Sequence, residues 1–141
     1  QEYAGHADHA ITTEVVRRTA LPVIANGDIR TATDGMRILD DTGAAGLMLG
    51  RGAISDPLLF DRLRGKLTAA AQPTERATQL HRYLSDLLER YRTLFCGEAQ
   101  VLSKIKGVVL FIQDPVFGEH LLRLRKARDL RTFAQLLDDL A

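Results

Sequence analysis

The chain has 141 residues, of which 45% are hydrophobic and 26% charged, and its formal net charge is +1. This length fits one domain or two small ones, and the composition is typical of a soluble globular protein. No apolar run approaches the roughly 18 residues that a membrane span needs, and no signal-peptide pattern is visible. The lone cysteine, Cys96, excludes an internal disulfide and suits a reducing compartment, so we expect a cytoplasmic protein without a membrane partner.

The first predicted elements alternate between helix and strand. In chain order they cover residues 9–19, 23–25, 31–42, 46–49 and 56 onward. Thr31 or Thr33 can cap the second helix at its start, and Gly43 can end it. Asp56-Pro57 is expected to open the third helix, with Asp56 as its N-cap. The β-branched strand at 23–25 is expected to be buried on both faces. The pattern predicts two consecutive strand–loop–helix units of an α/β protein.

Both predicted strands end in loops that contain glycine. In a (β/α)₈ barrel, the loops after the last two strands commonly hold a phosphate. Glycine allows the backbone to approach a phosphate oxygen closely, and the fork of donors on an arginine matches two such oxygens. An asparagine at a strand end can reach a planar ring or a ribityl hydroxyl. The predicted cofactor-binding residues are Asn26, Gly27, Asp28, Gly50 and Arg51.

Each loop also has an ordinary explanation. Asn26-Gly27-Asp28 could be a simple turn, since such turns are abundant, and Arg51 could be a surface arginine. Two such loops that are one strand apart are less easily explained by chance than either loop alone. The pair therefore favours a phosphate-bearing cofactor.

The composition changes near Gly65. Residues 66–73 are rich in alanine and end in Gln72-Pro73, which predicts a linker. Four helices are predicted after it, the first capped by Thr74, and they cover residues 74–95, 98–112, 116–127 and 130–140. No further strand is visible, so residues 74–141 are expected to form a small antiparallel helical bundle.

The helical part carries the excess of positive charge. Residues 66–141 contain twelve Lys and Arg and nine Asp and Glu, against seven and nine in residues 1–65. Lys104 and Lys106 lie two apart beside apolar positions, so they cannot both face the core. The other basic residues of interest cluster at Arg123, Arg125, Lys126 and Arg128. A solvated helix end and contact with a phosphate backbone explain this cluster equally well.

The remaining reactive side chains do not indicate a second site. Cys96 precedes a glycine and is expected to be a partly buried thiol near a helix end. His6 and His9 flank Asp8, but no third ligand is spaced for zinc, so we expect exposed residues at a helix start and no metal site.

Several segments resemble the tRNA-dihydrouridine synthases. They are Tyr3-Ala4-Gly5-His6-Ala7-Asp8, Leu21-Pro22-Val23-Ile24-Ala25-Asn26-Gly27-Asp28-Ile29, Met48-Leu49-Gly50-Arg51-Gly52-Ala53 and Pro57-Leu58-Leu59-Phe60. The likeness continues more loosely through residues 102–137. It departs from the family in one helix, where Ser103-Lys104-Ile105-Lys106 only partly matches an Arg/Lys-x-Lys pattern.

The resemblance implies an enzyme that uses FMN and NADPH to reduce uridine in tRNA to 5,6-dihydrouridine. Residues 1–65 would be the end of a flavin-binding (β/α)₈ TIM barrel and would hold FMN, chiefly its phosphate, through the five residues of the two loops. Residues 74–141 would hold tRNA through Lys104, Lys106, Arg123, Arg125, Lys126 and Arg128.

The resemblance also implies that parts are missing. The family's catalytic cysteine and its flavin-contacting lysine belong to the first half of the barrel, and a His-Gly-Arg segment precedes the position of Tyr3. None of these is in this chain, which begins with Gln1 rather than Met. We therefore expect a carboxyl-terminal fragment without a catalytic residue, inactive alone, that needs the amino-terminal half of the barrel for a complete fold.

Two other functions remain open. Another FMN-dependent barrel oxidoreductase, such as a dihydroorotate dehydrogenase-like enzyme, would explain the loops, but that family ends with the barrel and lacks a helical tail. A stand-alone RNA-binding or interaction module would explain the helical part without catalysis.

Overall fold

A computed structural model of the protein describes residues 5–140, so Tyr3 and Ala4 of the segment that resembles the synthases lie outside the described residues. The chain forms two compact units that divide between Ala70 and Ala71.

The first unit is an α/β structure. Its elements are α1 (His9–Arg18), β1 (Ile24–Asn26), α2 (Ala32–Thr42), β2 (Gly46–Met48), α3 (Arg51–Ser55) and α4 (Leu59–Leu63). The two strands pair in parallel, with Ala25 opposite Leu47 and Asn26 opposite Met48. The predicted α/β class with consecutive strand–loop–helix units is confirmed at this level.

Local chemistry explains where α2 begins and ends. Thr31 forms a capping box with Asp34, in which each side chain accepts a hydrogen bond from the backbone of the other residue. Gly43 follows the helix in the left-handed conformation, and its amide donates to the Leu39 carbonyl. The caps predicted at Thr31 and Gly43 are therefore confirmed.

Among residues 5–140, helices cover only one face of the sheet. Ala25 is 1% exposed and packs in a small core with Ile29 and Ile38. On the opposite face, Ile24 and Met48 are 56% and 58% exposed. The expectation that β1 is buried on both faces is therefore wrong for the described residues, because only the helices on one side pack against the sheet.

The segment after β2 differs from the prediction. A short helix, α3, occupies Arg51–Ser55, and α4 begins at Leu59, so Asp56 is not its N-cap residue. The Asp56 carboxylate instead accepts from the Leu58 amide and from Nε of Arg62. Arg62 is buried and also donates to the Thr68 carbonyl, which ties the end of the unit back to α4.

The regular elements of residues 71–140 are all helices. Its helices are α5 (Pro73–Leu94), α6 (Glu98–Phe111), α7 (Gly118–Lys126) and α8 (Leu130–Asp138). Their apolar faces share one core, in which Phe133, Ile105 and Leu124 are fully buried. Helix α5 begins one residue earlier than predicted, because Pro73 takes the first helical position and Gln72 precedes it as N-cap.

Cys96 is exposed, so the expectation of a partly buried thiol is wrong. None of the helices formed by residues 5–140 is long and apolar enough to cross a membrane.

Candidate functional site

The two glycine-containing loops meet at the carboxyl edge of the parallel sheet. Because β1 and β2 run side by side in the same direction, the residues that follow them emerge together. Oδ1 of Asp28 lies 3.7 Å from Nη2 of Arg51, and the two side chains are 26% and 46% exposed. The structure therefore brings together one charged residue from each loop that the sequence singled out.

Asp28 is held by the backbone that precedes α1. Its Oδ2 accepts a hydrogen bond of 2.7 Å from the Ala7 amide. This bond lowers the pKa of Asp28 below its usual value, against a smaller effect of burial, and the nearby His6 and Arg51 act in the same direction as the bond. Asp28 has a φ of +51°, which a residue other than glycine rarely adopts. The carboxylate is therefore ionised and fixed beside Arg51.

Gly27 is the position in this loop that no other residue could fill without a shift. Its φ is +115°, and a Cβ placed on it would lie 2.5 Å from the Cβ of Ala7. Its carbonyl oxygen is 3.2 Å from Nε2 of His9. The loop after β1 is thus packed and hydrogen-bonded against the start of α1.

No sequence pattern predicts the contact between His9 and Gly27. His9 was expected to be exposed, but it is half-buried, and its imidazole reaches the Gly27 carbonyl. The two residues are 18 positions apart, and no local spacing predicts a bond over that distance. His6, in contrast, is 97% exposed as expected, with Nδ1 3.5 Å from Oδ2 of Asp28.

Glycines also determine how closely α3 approaches the loop after β1. A Cβ on Gly52 would lie 2.2 Å from the carbonyl oxygen of Ile29, so only glycine allows this contact. Gly50, which precedes α3, has open space where a Cβ would lie. The close approach at Gly52 brings the neighbouring Arg51 toward Asp28, on the other loop.

Asn26 is the last residue of β1 and is exposed. It alternates with the buried Ala25, and so lies on the same open face of the sheet as Ile24. Its side chain is accessible there to a ligand above the carboxyl end of the strands. The structure thus groups all five predicted cofactor-binding residues at one edge, with Asp28 directed toward Arg51.

The basic residues of the helical unit fall into two groups. Arg125 donates through Nε to the Val109 carbonyl and through Nη2 to the Ile112 carbonyl, at 3.3 and 2.9 Å. Lys106 donates through Nζ to the Ala127 carbonyl at 2.9 Å. Both side chains are half-buried and hold α6 and α7 together.

The other four basic residues are exposed. Lys104 places Nζ 5.5 Å from the centroid of the Phe95 ring, in a cation–π contact. The remaining three lie along α7 and just after it, at Arg123, Lys126 and Arg128. An exposed basic group near a helix end is available to an anionic partner.

Most of the chain matches the model of a known protein family. The family model described as "Dihydrouridine synthase (Dus)" matches residues 1–109, which include both loops and most of α6. These matched residues extend from the α/β unit into the helical unit.

Individual relatives match parts of the chain. A protein of Rhodobacter capsulatus named "Probable tRNA-dihydrouridine synthase" is 41% identical over 73 residues, which cover 52% of this chain and 22% of the relative. The "tRNA-dihydrouridine synthase B" of Pseudomonas syringae pv. tomato is 28% identical over 138 residues, covering 97% and 38%. The "tRNA-dihydrouridine(16) synthase" of Cupriavidus necator is 46% identical over 55 residues, covering 39% and 17%. The chain thus spans between 17% and 38% of these relatives.

Proposed function

The chain belongs to the dihydrouridine synthase family, and we propose that it is the carboxyl-terminal part of a flavin-dependent enzyme that reduces uridine to 5,6-dihydrouridine in tRNA. The observation that carries this proposal is the meeting of Asp28 and Arg51 at the carboxyl edge of two parallel strands, within the residues that match the family. Sites of α/β enzymes lie at this edge.

In this proposal, the first unit supplies the last two strand–helix units of a TIM barrel. Two parallel strands cannot close a barrel, and the exposed Ile24 and Met48 leave one sheet face uncovered in this chain. An amino-terminal barrel half would pair with the open strand edge and cover that face. The proposed boundaries are residues 1–65 for the barrel part, 66–73 for the linker and 74–141 for the helical domain.

The residues at the strand ends fit a phosphate group. The Arg51 side chain is 46% exposed, so its guanidinium can donate to an anion from solvent. The open space at Gly50 admits a phosphate beside it. Asp28 is itself an anion, so its role would be to orient Arg51 rather than to bind the phosphate.

FMN is the cofactor that we assign to this site, with NADPH as its reductant, and when bound it supplies hydride transfer to the uracil ring. Within this chain, Arg51 and the backbone of Gly50 and Gly27 would bind and orient its phosphate. The amide of Asn26 would contact the ring or the ribityl chain. The proton donor would come from the missing barrel half, since we assign no catalytic residue to this chain.

For the helical unit we propose tRNA binding through its exposed basic residues. Lys104, Arg123, Lys126 and Arg128 are accessible to phosphates of the RNA backbone. Lys106 and Arg125 would act mainly by holding the helices that carry the others, because their charged groups already donate to carbonyls.

The experiment uses the complete protein that contains this chain. After purification, it should show a flavin absorbance spectrum and form dihydrouridine in unmodified tRNA when NADPH is supplied. Substitution Arg51→Gln should release FMN while the helical unit retains tRNA binding. A protein that binds tRNA but takes up no FMN would instead support the stand-alone RNA-binding module. Flavin uptake with reduction of a free small molecule, and none of tRNA, would support another FMN-dependent oxidoreductase.

A further inference from the structure

We propose that His9 is a positioning residue for the phosphate site: its imidazole holds the loop of Gly27 and Asp28, and through Asp28 it fixes Arg51. This inference rests on the proposed function, because it concerns the site assigned there to an FMN phosphate. The His9 ring bonds to the Gly27 carbonyl and not to Arg51, so its effect on the ligand would be indirect.

Residues 7–9 contact the loop after β1 through two hydrogen bonds. The Ala7 amide donates to Oδ2 of Asp28 at 2.7 Å, and Nε2 of His9 lies 3.2 Å from the Gly27 carbonyl oxygen. The Cβ of Ala7 also closes the space beside Gly27. Two hydrogen bonds therefore hold the loop, one from a backbone amide and one from an imidazole.

The hydrogen bond defines the state of the imidazole. A carbonyl oxygen only accepts, so Nε2 of His9 carries the hydrogen. Nδ1 is buried and has no hydrogen-bond partner among the described residues. Nε2 is therefore the ring nitrogen whose hydrogen holds the loop.

Core packing does not explain why His9 is directed at the loop. Helix α1 contains no buried residue, and Ile11 and Val15 on it are 62% and 45% exposed. Among the described residues, the His9 ring makes its hydrogen bond with Gly27. The hydrogen bond of His9 thus stabilises the loop after β1 rather than the core of the unit.

The loop needs to be held because its backbone is unusual. Gly27 has a φ of +115°, and Asp28 has a φ of +51°. Residues other than glycine seldom adopt a positive φ. If the loop relaxed, Asp28 would move, and with it the carboxylate that lies 3.7 Å from Arg51. This pair is too long for a hydrogen bond, so the guanidinium can still donate to a phosphate.

The test uses the complete protein that contains this chain, prepared without flavin, titrates it with inorganic phosphate at constant ionic strength and follows the amide resonances of Gly27, Asp28 and Arg51 by NMR. His9→Leu removes the donor and should weaken phosphate binding about fivefold, the equivalent of one neutral hydrogen bond. His9→Gln offers a donor at a similar reach and should restore most of the affinity. Glu14→Gln, an exposed position on the same helix that pairs with Arg18, is the matched control and should change nothing.

The outcomes separate this inference from the proposed function. If Arg51→Gln abolishes the phosphate-dependent shifts while His9→Leu leaves the affinity unchanged, the site stands and the role of His9 is refuted. Equal weakening by His9→Leu, His9→Gln and Glu14→Gln would also refute it, because it would indicate a general loss of helix stability. If wild type shows no phosphate-dependent shift, the anion site itself fails, and the positioning role fails with it. The imidazole nitrogen shifts of wild type must in addition show hydrogen on Nε2.

Discussion

The Asp28 carboxylate faces the Arg51 guanidinium at 3.7 Å, although one residue follows β1 and the other follows β2. The negative charge of Asp28 attracts the guanidinium toward this edge of the sheet. Because the two charged groups are 3.7 Å apart and the guanidinium is half-exposed, the guanidinium can also donate to a phosphate. This relationship underlies the first two predictions.

In the complete enzyme, Arg51→Ala should weaken FMN binding by about ten- to a hundredfold, which corresponds to the roughly 1.5–3 kcal/mol of a charge-assisted hydrogen bond. Titration followed by flavin fluorescence measures the dissociation constant. Riboflavin, which lacks the phosphate, should bind the variant and the wild type alike. Arg37→Ala, an exposed position on α2, serves as the control. An unchanged FMN affinity in the Arg51 variant would mean that this side chain points to solvent.

Asp28→Asn should make the unfolding of this chain less dependent on acid. The folded-state pKa of Asp28 lies below its usual value, chiefly because of the Ala7 amide, so the ionised carboxylate stabilises the fold above the unfolded-state pKa. That stability is lost as the pH falls through the folded-state pKa. The wild type should therefore exceed the variant in melting temperature at pH 7, and the difference should shrink below about pH 4.

Melting curves between pH 3 and pH 7 give this comparison. Asn keeps an oxygen that can accept from the Ala7 amide, so the variant isolates the effect of the charge. Asp40→Asn, at an exposed position on α2, is the control. A difference between wild type and the Asp28 variant that stays constant over the whole range would contradict the prediction.

The parts of the fold that depend on near neighbours could be predicted from the sequence. The caps at Thr31 and Gly43 involve bonds within four residues, and the residue types at these positions favour those bonds. The apolar spacing along α5 likewise predicts a long amphipathic helix. Helix α3 was missed because five residues are too few to show a period.

The site itself was predicted only in outline. Both loops could be identified because each strand ends in glycine and a polar residue, but the partners of those residues could not. His9 contacts Gly27 across 18 positions, and Arg125 contacts Val109 across 16. Such contacts depend on how the elements pack, and side-chain type alone does not specify the partner.

Arg125→Met should lower the free energy of unfolding of the helical unit by about 1–2 kcal/mol. The guanidinium donates to the Val109 and Ile112 carbonyls at the end of α6, where the Val109 carbonyl also accepts from the Ile112 amide. Methionine keeps most of the side-chain length and removes the donors. Urea denaturation measures the change, and Arg123→Met, exposed on the same helix, should stay within about 0.5 kcal/mol of wild type. Equal effects at the two positions would rule out this capping role.

This chain alone should form no dihydrouridine. In our proposal, the proton donor and half of the flavin site belong to the missing barrel half. Unmodified tRNA, FMN and NADPH are incubated with the chain, and dihydrouridine is measured against a reaction without protein. Turnover above that background would show that the chain carries the catalytic groups, and would refute its interpretation as a fragment.

Residues 71–141 should bind tRNA with an affinity that falls as salt rises, because contacts with phosphates release counterions. Lys126 and Arg128 are exposed at the end of α7, whereas Lys106 donates to the carbonyl of Ala127, which lies between them. Neutralising Lys126 and Arg128 to Gln should therefore flatten the log–log salt slope by up to about one unit for each lost contact. Lys106→Gln should leave the slope nearly unchanged and lower the melting temperature instead.

Filter binding of each variant at several salt concentrations gives the slopes, and melting curves give the stabilities. Lys106→Gln is the matched control, because it removes one positive charge near the same helix end, at a side chain that already donates to the Ala127 carbonyl. If the double variant keeps the wild-type slope, its two side chains are merely solvated and the tRNA surface lies elsewhere. If Lys106→Gln flattens the slope as much as a change at Lys126 does, the ammonium of Lys106 leaves the carbonyl when RNA binds, and our division of the basic residues is wrong.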